Sequence, residues 1–518
     1  MSVFSLEVAK TNPVDGRVLD ENLTTLGVSV KEEEKDDYRR LLAVFHESVA
    51  ELMSIPDYVP PVDEERFPRE DIRFPKASEN PLGAWAWRCR VEDKTKKGGL
   101  LAGKTITIKD NIAVRGVPML LGTDFVKDYV PNTDATCVTR LLEAGAIIEG
   151  KSVCENMCHS ATSSSSSTGH VHNPYAKGYS SGGSSSGSGA LVASGDVDMA
   201  LGADQGGSIR VPAACGSNEP TNDYVGPITR TLLDNALMLQ VIAGNDNIDD
   251  RSFPAPKPDK VPKYYENLVK LENPKDLSGV KIGILAEGMN QPSVEPRVRL
   301  CVEAAIQGFR ELGAVVEEVS IPFHSKGAAI WTAISKAGGY LAKRNLTFGR
   351  RGYAMNDLTE KFQTLTQGQW DNAYVSTKNI YLNGVYAQDA FPGLLGKATN
   401  LSRKLRDDYD RALSHYDILV TPNLPYVANS HTPYDASPLE KIGKQVGLTA
   451  NTAPFNQSGH PVLAMPIGML PIQEGPLAGS GTKLPVSMQL IGKWWHEEDV
   501  YRVAYAWSLE YDWKSCER

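Results

Sequence analysis

Three positions in this sequence carry side chains suited to covalent chemistry, and two of them lie in glycine-rich turns. Gly182-Gly183-Ser184-Ser185-Ser186-Gly187-Ser188 runs into small apolar residues, and Asp204-Gln205-Gly206-Gly207-Ser208 is followed by Ile209-Arg210-Val211-Pro212. Glycines at such turns let successive backbone N–H groups converge on one cavity, which then holds an oxyanion or another anion. A serine at the lip of that cavity is a candidate nucleophile. Its hydroxyl needs a base at neutral pH, and no histidine lies inside either motif. A lysine serves as that base when burial keeps its amine neutral. Lys109, in Ile108-Lys109-Asp110-Asn111, is the candidate; it stands 75 positions before Ser184, which stands 24 before Ser208.

Around these residues the sequence predicts an α/β sheet protein. Thr105-Ile106-Thr107-Ile108 is an alternating β-branched strand. It ends at Lys109, where strands of α/β sheets present side chains to ligands. Residues 134–149 predict a helix closed by Gly145, then the strand Ala146-Ile147-Ile148. Met199-Ala200-Leu201-Gly202 predicts a buried strand. Val280 to Leu285, Pro296 to Leu312 and Ala314 to Val319 form a βαβ unit with Gly313 at the helix stop. Strands resume at Asp417 to Val420, Leu463 to Pro466 and Val486 to Ile491, and a helix from Glu497 to Tyr511 closes the chain. Residues 327–415 predict a mostly helical insertion, in which Trp331 and Tyr340 are expected as core rather than pocket.

Two other stretches stand apart. Residues 1–76 predict an arm: an amphipathic helix at 31–54, then a Pro-rich segment from Pro56 to Pro75 without regular structure. The remaining domain is 77–518. Residues 160–189 are dense in Ser and Gly, with a low-complexity run from Ser163 to Ser167. That composition ordinarily makes a flexible linker. Here Ala190-Leu191-Val192-Ala193 and the 199–202 strand follow at once, which predicts an ordered part of the domain.

The two serine motifs together resemble the amidase signature family, as do Ile108-Lys109-Asp110-Asn111, Gly226-Pro227-Ile228-Thr229-Arg230 and the segments around Asn456, Pro466 and Gln489. The likeness spans roughly residues 80–510. Ala77 to Leu82, Trp85, Gly195-Asp196-Val197-Asp198, Gln205 and Ala450 to Phe455 are most similar to wide-spectrum amidases that accompany nitrile hydratases, and to fungal urethane-hydrolysing amidases. The resemblance implies a large mixed twisted sheet covered by helices on both faces. It implies cleavage of small amides to acid and amine through an acyl-enzyme on Ser208, with Ser184, after a cis peptide bond, relaying the proton to Lys109. The backbone N–H groups of Gln205, Gly206, Gly207 and Ser208 would form the oxyanion hole. Cys158, with Ser184 and the 205–207 loop, would contact substrate, while Asp204, Arg210 and Ser185 brace the site. Carbamate hydrolysis with the same triad is the alternative. A glutamyl-tRNA amidotransferase component and an inactive scaffold are less favoured.

This sequence departs from the family pattern twice. Ser186 stands where the family has glycine, and it is expected to lie outside the chemistry. After Cys215-Gly216 a family strand of G-L-K-P-T type is absent. If a segment has been omitted from the sequence there, the Cα atoms near 216–217 would stand farther apart than the bonded spacing of about 3.8 Å.

Composition narrows the partners. A net charge of −9 without a Lys/Arg block argues against nucleic acid. No run of 18 apolar residues or signal-like N-terminus occurs, so a cytoplasmic protein is expected. Seven scattered cysteines without a C-x-x-C pair predict free thiols. No metal-ligand spacing surrounds the nine histidines, so neither metal nor cofactor is expected. A homodimer acting on a small-molecule amide or carbamate is expected.

Overall fold

The computed structural model describes residues 6–95, 97–126, 128–211, 221–346 and 352–515. The chain divides into two compact units, Met1–Pro61 and Val62–Arg518. The first contains helices α1 (Gly16–Leu26) and α2 (Lys35–Met53). The sequence predicts only the second. The signal for α1 is its cap: the Asp15 carboxylate accepts the amides of Arg17 and Val18 at 3.0 and 3.3 Å, which satisfies donors that a helix start leaves open.

The second unit is built on strands β1 (Arg69–Arg73), β2 (Trp85–Val91), β3 (Thr105–Lys109), β4 (Ile147–Ser152), β5 (His172–Asn173), β6 (Ala176–Ser180), β7 (Met199–Asp204), β8 (Tyr224–Thr229), β9 (Lys281–Leu285), β10 (Val315–Val319), β11 (Ile418–Pro422), β12 (Val462–Pro471) and β13 (Lys483–Gly492). The mixed α/β architecture expected from the sequence is present. Among the described residues its strands fall into a six-stranded sheet, β1-β2-β4-β3-β7-β8, a five-stranded sheet, β10-β9-β11-β13-β12, and the β5-β6 hairpin. The predicted βαβ unit is β9, the Pro296–Glu311 helix and β10, with the two strands parallel. The predicted insertion contains the helices Gly327–Ala333, Val375–Ala390 and Leu394–Leu413.

Proline defeats the sequence-based expectation once. The segment from Pro56 to Pro75, expected to lack regular structure, contains β1, which pairs antiparallel with β2 from Arg69 opposite Val91. Pro68 and Pro75 flank that strand, and β1 is an edge strand, where a missing N–H donor costs no ladder bond. Pro227 likewise sits in β8, the opposite edge of the same sheet.

The centre of the six-stranded sheet positions the chemistry. β3 lies between β4 and β7 and is parallel to both, and helix α3 (Ser186–Ser194) packs against it. Ile106 and Ile108 point into a core that includes Val138, Leu141, Ile148 and Leu201. The neighbouring positions bring charge into that core. Asp110, just past β3, and Lys151 on β4 are both fully buried, 3.6 Å apart. Asp110 Oδ2 also accepts the amides of Leu120 and Leu121, each at 2.8 Å. Burial pushes the Asp110 carboxyl up and the Lys151 ammonium down, each against the attraction of the other. Such a pair is costly to break from one side, because the remaining charge has no water to turn to. Asp110→Ala and Lys151→Ala are each expected to lower stability by about 3–5 kcal/mol. Urea unfolding of the single variants checks this, and a loss below about 1 kcal/mol in both would refute it.

Candidate active site

Lys109 closes β3 and is fully buried. Its Nζ donates to Ser184 Oγ at 3.1 Å and lies 3.4 Å from the carbonyl oxygen of Ala203. Parallel pairing with β7 brings that carbonyl within reach, since Ile108 stands opposite Leu201. Ser184 sits in the glycine-rich turn that enters α3, and the Gly183–Ser184 peptide bond is cis. Its carbonyl accepts the Glu155 amide at 3.0 Å. Ser185 occupies the cap position of α3, and its buried hydroxyl has no hydrogen-bond partner among the described residues. Any support from Ser185 therefore comes through its backbone, which accepts the Gly189 amide at 3.1 Å.

The second turn is organised by Asp204, the last residue of β7. Its Oδ1 accepts the Gly207 amide and its Oδ2 the Ile209 amide, each at 2.7 Å. The carboxylate thus bends the chain into a loop with Ser208 between its two grips. Gly207, expected as an oxyanion donor, has its N–H committed to Asp204 instead. Ser208 is 8% exposed. Arg210 returns to Asp204 through Nε at 3.2 Å and Nη2 at 3.3 Å. It also donates to Thr452 O at 2.9 Å, Gln489 Oε1 at 2.7 Å and Asn456 Oδ1. Burial works to raise the Asp204 carboxyl, but Arg210, the Ile209 amide and Asn456 hold it below the usual carboxylate range.

Residues far along the chain complete the loop. Thr452 Oγ1 donates to Gly206 O at 2.6 Å. Trp331 Nε1 donates to Gln205 O at 2.8 Å. A Cβ on Gly206 would stand 2.7 Å from the Trp331 ring, and one on Gly207 2.0 Å from Thr452 Oγ1. Gly207 also has φ of +125°, so only glycine fits there. Trp331, expected as core, is therefore part of the site wall. It carries no local sequence signal, because its partner lies 126 positions away.

The Ser-rich run is a buried framework. Ser163 Oγ donates to Val171 O at 2.8 Å and accepts the Ser181 amide at 3.0 Å. Ser165 Oγ accepts the Asn156 amide at 3.0 Å. Cys158 ends the short helical turn Asn156–Cys158, is buried, and packs with Cys154. His170, His172 and His431 form a ring cluster beside this run. The His431 ring centroid lies 4.4 Å from that of His170 and 5.2 Å from that of His172, and Tyr434 stacks on His170. Among the described residues no His, Cys, Asp or Glu group is arranged to hold a metal ion.

The join near 216–217, where the sequence lacks a family strand, lies outside the described residues. The amidase family model matches this chain over residues 83–218 and 216–501, two stretches that meet at that join. An enantioselective amidase of Rhodococcus rhodochrous is 38% identical over 454 residues, 83% of this chain and 84% of its own. The A-type component of a Cyanothece glutamyl-tRNA(Gln) amidotransferase is 32% identical over 449 residues, 82% and 88% of the two chains. Among solved structures, the corresponding component of the Thermotoga maritima glutamyl-tRNA(Gln) amidotransferase superposes with a TM-score of 0.63 at 25% identity, covering 82% of this chain and 87% of that one. A bacterial aryl acylamidase of the amidase signature enzymes superposes at 0.66 and 23% identity over 81% and 84%. Motifs, fold and similarity over most of the length agree: this chain belongs to the amidase signature family.

Proposed function

We propose that this protein is a serine amidase that hydrolyses small-molecule amides through an acyl-enzyme on Ser208. The observation that carries this reading is the bond of 3.1 Å between the buried Lys109 Nζ and Ser184 Oγ; Lys109 also reaches the Ala203 carbonyl near the end of β7, from which the loop carrying the buried Ser208 departs. Ser208 Oγ attacks the amide carbon and gives its proton to Ser184 Oγ, which passes its own to the neutral amine of Lys109. The negative oxygen of the tetrahedral intermediate is stabilised by the amides of Gln205, Gly206 and Ser208, since Gly207 N–H is held by Asp204. The proton returns through Ser184 to the leaving nitrogen, and the amine departs. Water then attacks the acyl-enzyme by the same relay and frees the acid. No step requires a cofactor.

Trp331, Cys158 and the 205–207 loop line the acyl pocket in this proposal, Trp331 because it touches Gln205 and Gly206. The similarity to an enantioselective amidase over most of the chain supports amides as substrates. A cytoplasmic homodimer is part of the same proposal.

A panel of acetamide, benzamide, an anilide and ethyl carbamate tests it. Amide turnover is expected, with Ser208→Ala reducing kcat by about a thousandfold or more. Turnover of ethyl carbamate alone would make the enzyme a carbamate hydrolase. No turnover, or an active Ser208→Ala variant, would contradict the mechanism. The Asp204–Arg210 brace has its own signature. Arg210→Lys keeps the charge but not the planar fork that reaches Asp204, Thr452, Gln489 and Asn456. It is expected to lower kcat by about 10- to 100-fold with little change in KM, because the oxyanion donors lose alignment mainly in the transition state. A change confined to KM would show that the brace serves substrate binding instead.

A further inference from the structure

A fully buried carboxylate, Glu155, lies beside the catalytic turn and takes no part in the proton relay. Its Oε2 accepts the Ser165 amide at 2.8 Å and the Ser165 hydroxyl at 2.7 Å. Its Oε1 accepts the Ser186 hydroxyl at 2.8 Å. Its own amide donates to the carbonyl of Ser184 at 3.0 Å. One residue therefore holds the Ser-rich run, the first residue of α3 and the backbone of Ser184. Burial pushes the Glu155 carboxyl up, against the hydrogen bonds from Ser165, Ser186 and the Ser164 amide.

Ser186 gives this arrangement its particular form in this chain, since the resembled family has glycine there. The serine is wholly buried, and its hydroxyl supplies Oε1 with a donor. Removing a donor from a buried carboxylate oxygen is expensive. The Ser186 side chain is therefore part of the buried network around the Ser184 turn.

We propose that Glu155 is a positioning residue for Ser184, clamped through Ser165 and Ser186, so that Ser186 tunes the alignment of the Ser184 hydroxyl with Lys109. The proposal rests on the serine-amidase reading above. The Glu155 carboxylate and amide grip the turn at two successive points just after the Ser184 side chain, at the Ser184 carbonyl and at Ser186. Loss of either grip leaves Ser184 in place but free to turn its Oγ off the 3.1 Å line to Lys109 Nζ. The Glu155 and Ser186 side chains bond to Ser165 and to each other, with no hydrogen bond to the 205–208 loop among the described residues, so the loss is expected in kcat more than in KM.

Kinetics of the full-length enzyme and the variants Ser186→Ala, Ser186→Gly and Glu155→Gln test this. Each rate is divided by the concentration of sites labelled by a fluorophosphonate, which removes any misfolded fraction. Per labelled site, kcat is expected to fall about tenfold in the Ser186 variants and further in Glu155→Gln, with KM within about twofold. Unchanged kcat per labelled site in both Ser186 variants would overturn the proposal and leave Glu155 a stabilising residue only. So would a loss that appears in KM alone. If Glu155→Gln does not fold, the Ser186 variants decide. An unmodified enzyme that neither hydrolyses amides nor takes the label would instead remove the serine-amidase reading itself, so the two failures are distinguishable.

Discussion

A lysine amine taken wholly out of water needs acceptors within reach, and in this protein the sheet supplies them. Lys109 ends the central strand β3, so its neighbours are set by pairing on both sides: β7 offers the Ala203 carbonyl, and the turn into α3, packed over β3, brings in Ser184 Oγ. That placement also explains the density of charge around it. Asp110 and Lys151 occupy the adjacent core positions as a pair. Glu155 and Asp204 occupy the ends of the next chain segments, and each is surrounded by hydroxyl, amide or guanidinium donors. Buried charges of this kind are costly where their partners are lost, so the donors around Glu155 and Asp204 hold these carboxylates in place.

The two serine turns are held by a common device. A carboxylate at the end of an element grips amides or hydroxyls of a nearby loop and so fixes its path: Asp204 for the Ser208 loop, Glu155 for the Ser184 turn. Asp204 is reinforced by Arg210, which carries the network to Thr452, Asn456 and Gln489 on the other sheet and its flanking helix. Glu155 is reinforced by serines alone. In a run that composition would assign to a linker, Ser163 and Ser165 instead bond to Val171, Ser181, Asn156 and Glu155, while Ser164 and Ser166 pair with the nearby Thr162 and Thr168.

What is legible in the sequence follows from how local the signal is. Lys109, Ser184, Ser208 and the Asp204–Arg210 pair lie in contiguous motifs whose residue types mark them as candidates for the site. The strands β3, β4, β7 and β9 to β13 are legible from β-branched and apolar runs bounded by Gly or Pro. β1 and β8 are not: they adjoin or carry proline, which sequence rules assign to loops, while an edge strand tolerates it. Trp331, Thr452 and Glu155 are opaque as site residues, since their partners are distant in sequence or, for Glu155, are hydroxyls inside a low-complexity run. Gly207 shows a further limit: the motif marks it as an anion-binding amide, and only the fold shows that the anion it binds is Asp204.

A covalent intermediate on Ser208, formed through Ser184 and Lys109, stands or falls on being trapped. The enzyme is mixed with a slowly hydrolysed anilide, quenched in acid within milliseconds to seconds, and its peptides mapped by mass. One acyl adduct is expected, on Ser208, forming before the steady state and failing to accumulate in Lys109→Ala. An adduct on another residue, or full turnover with no adduct at any time, would contradict the mechanism.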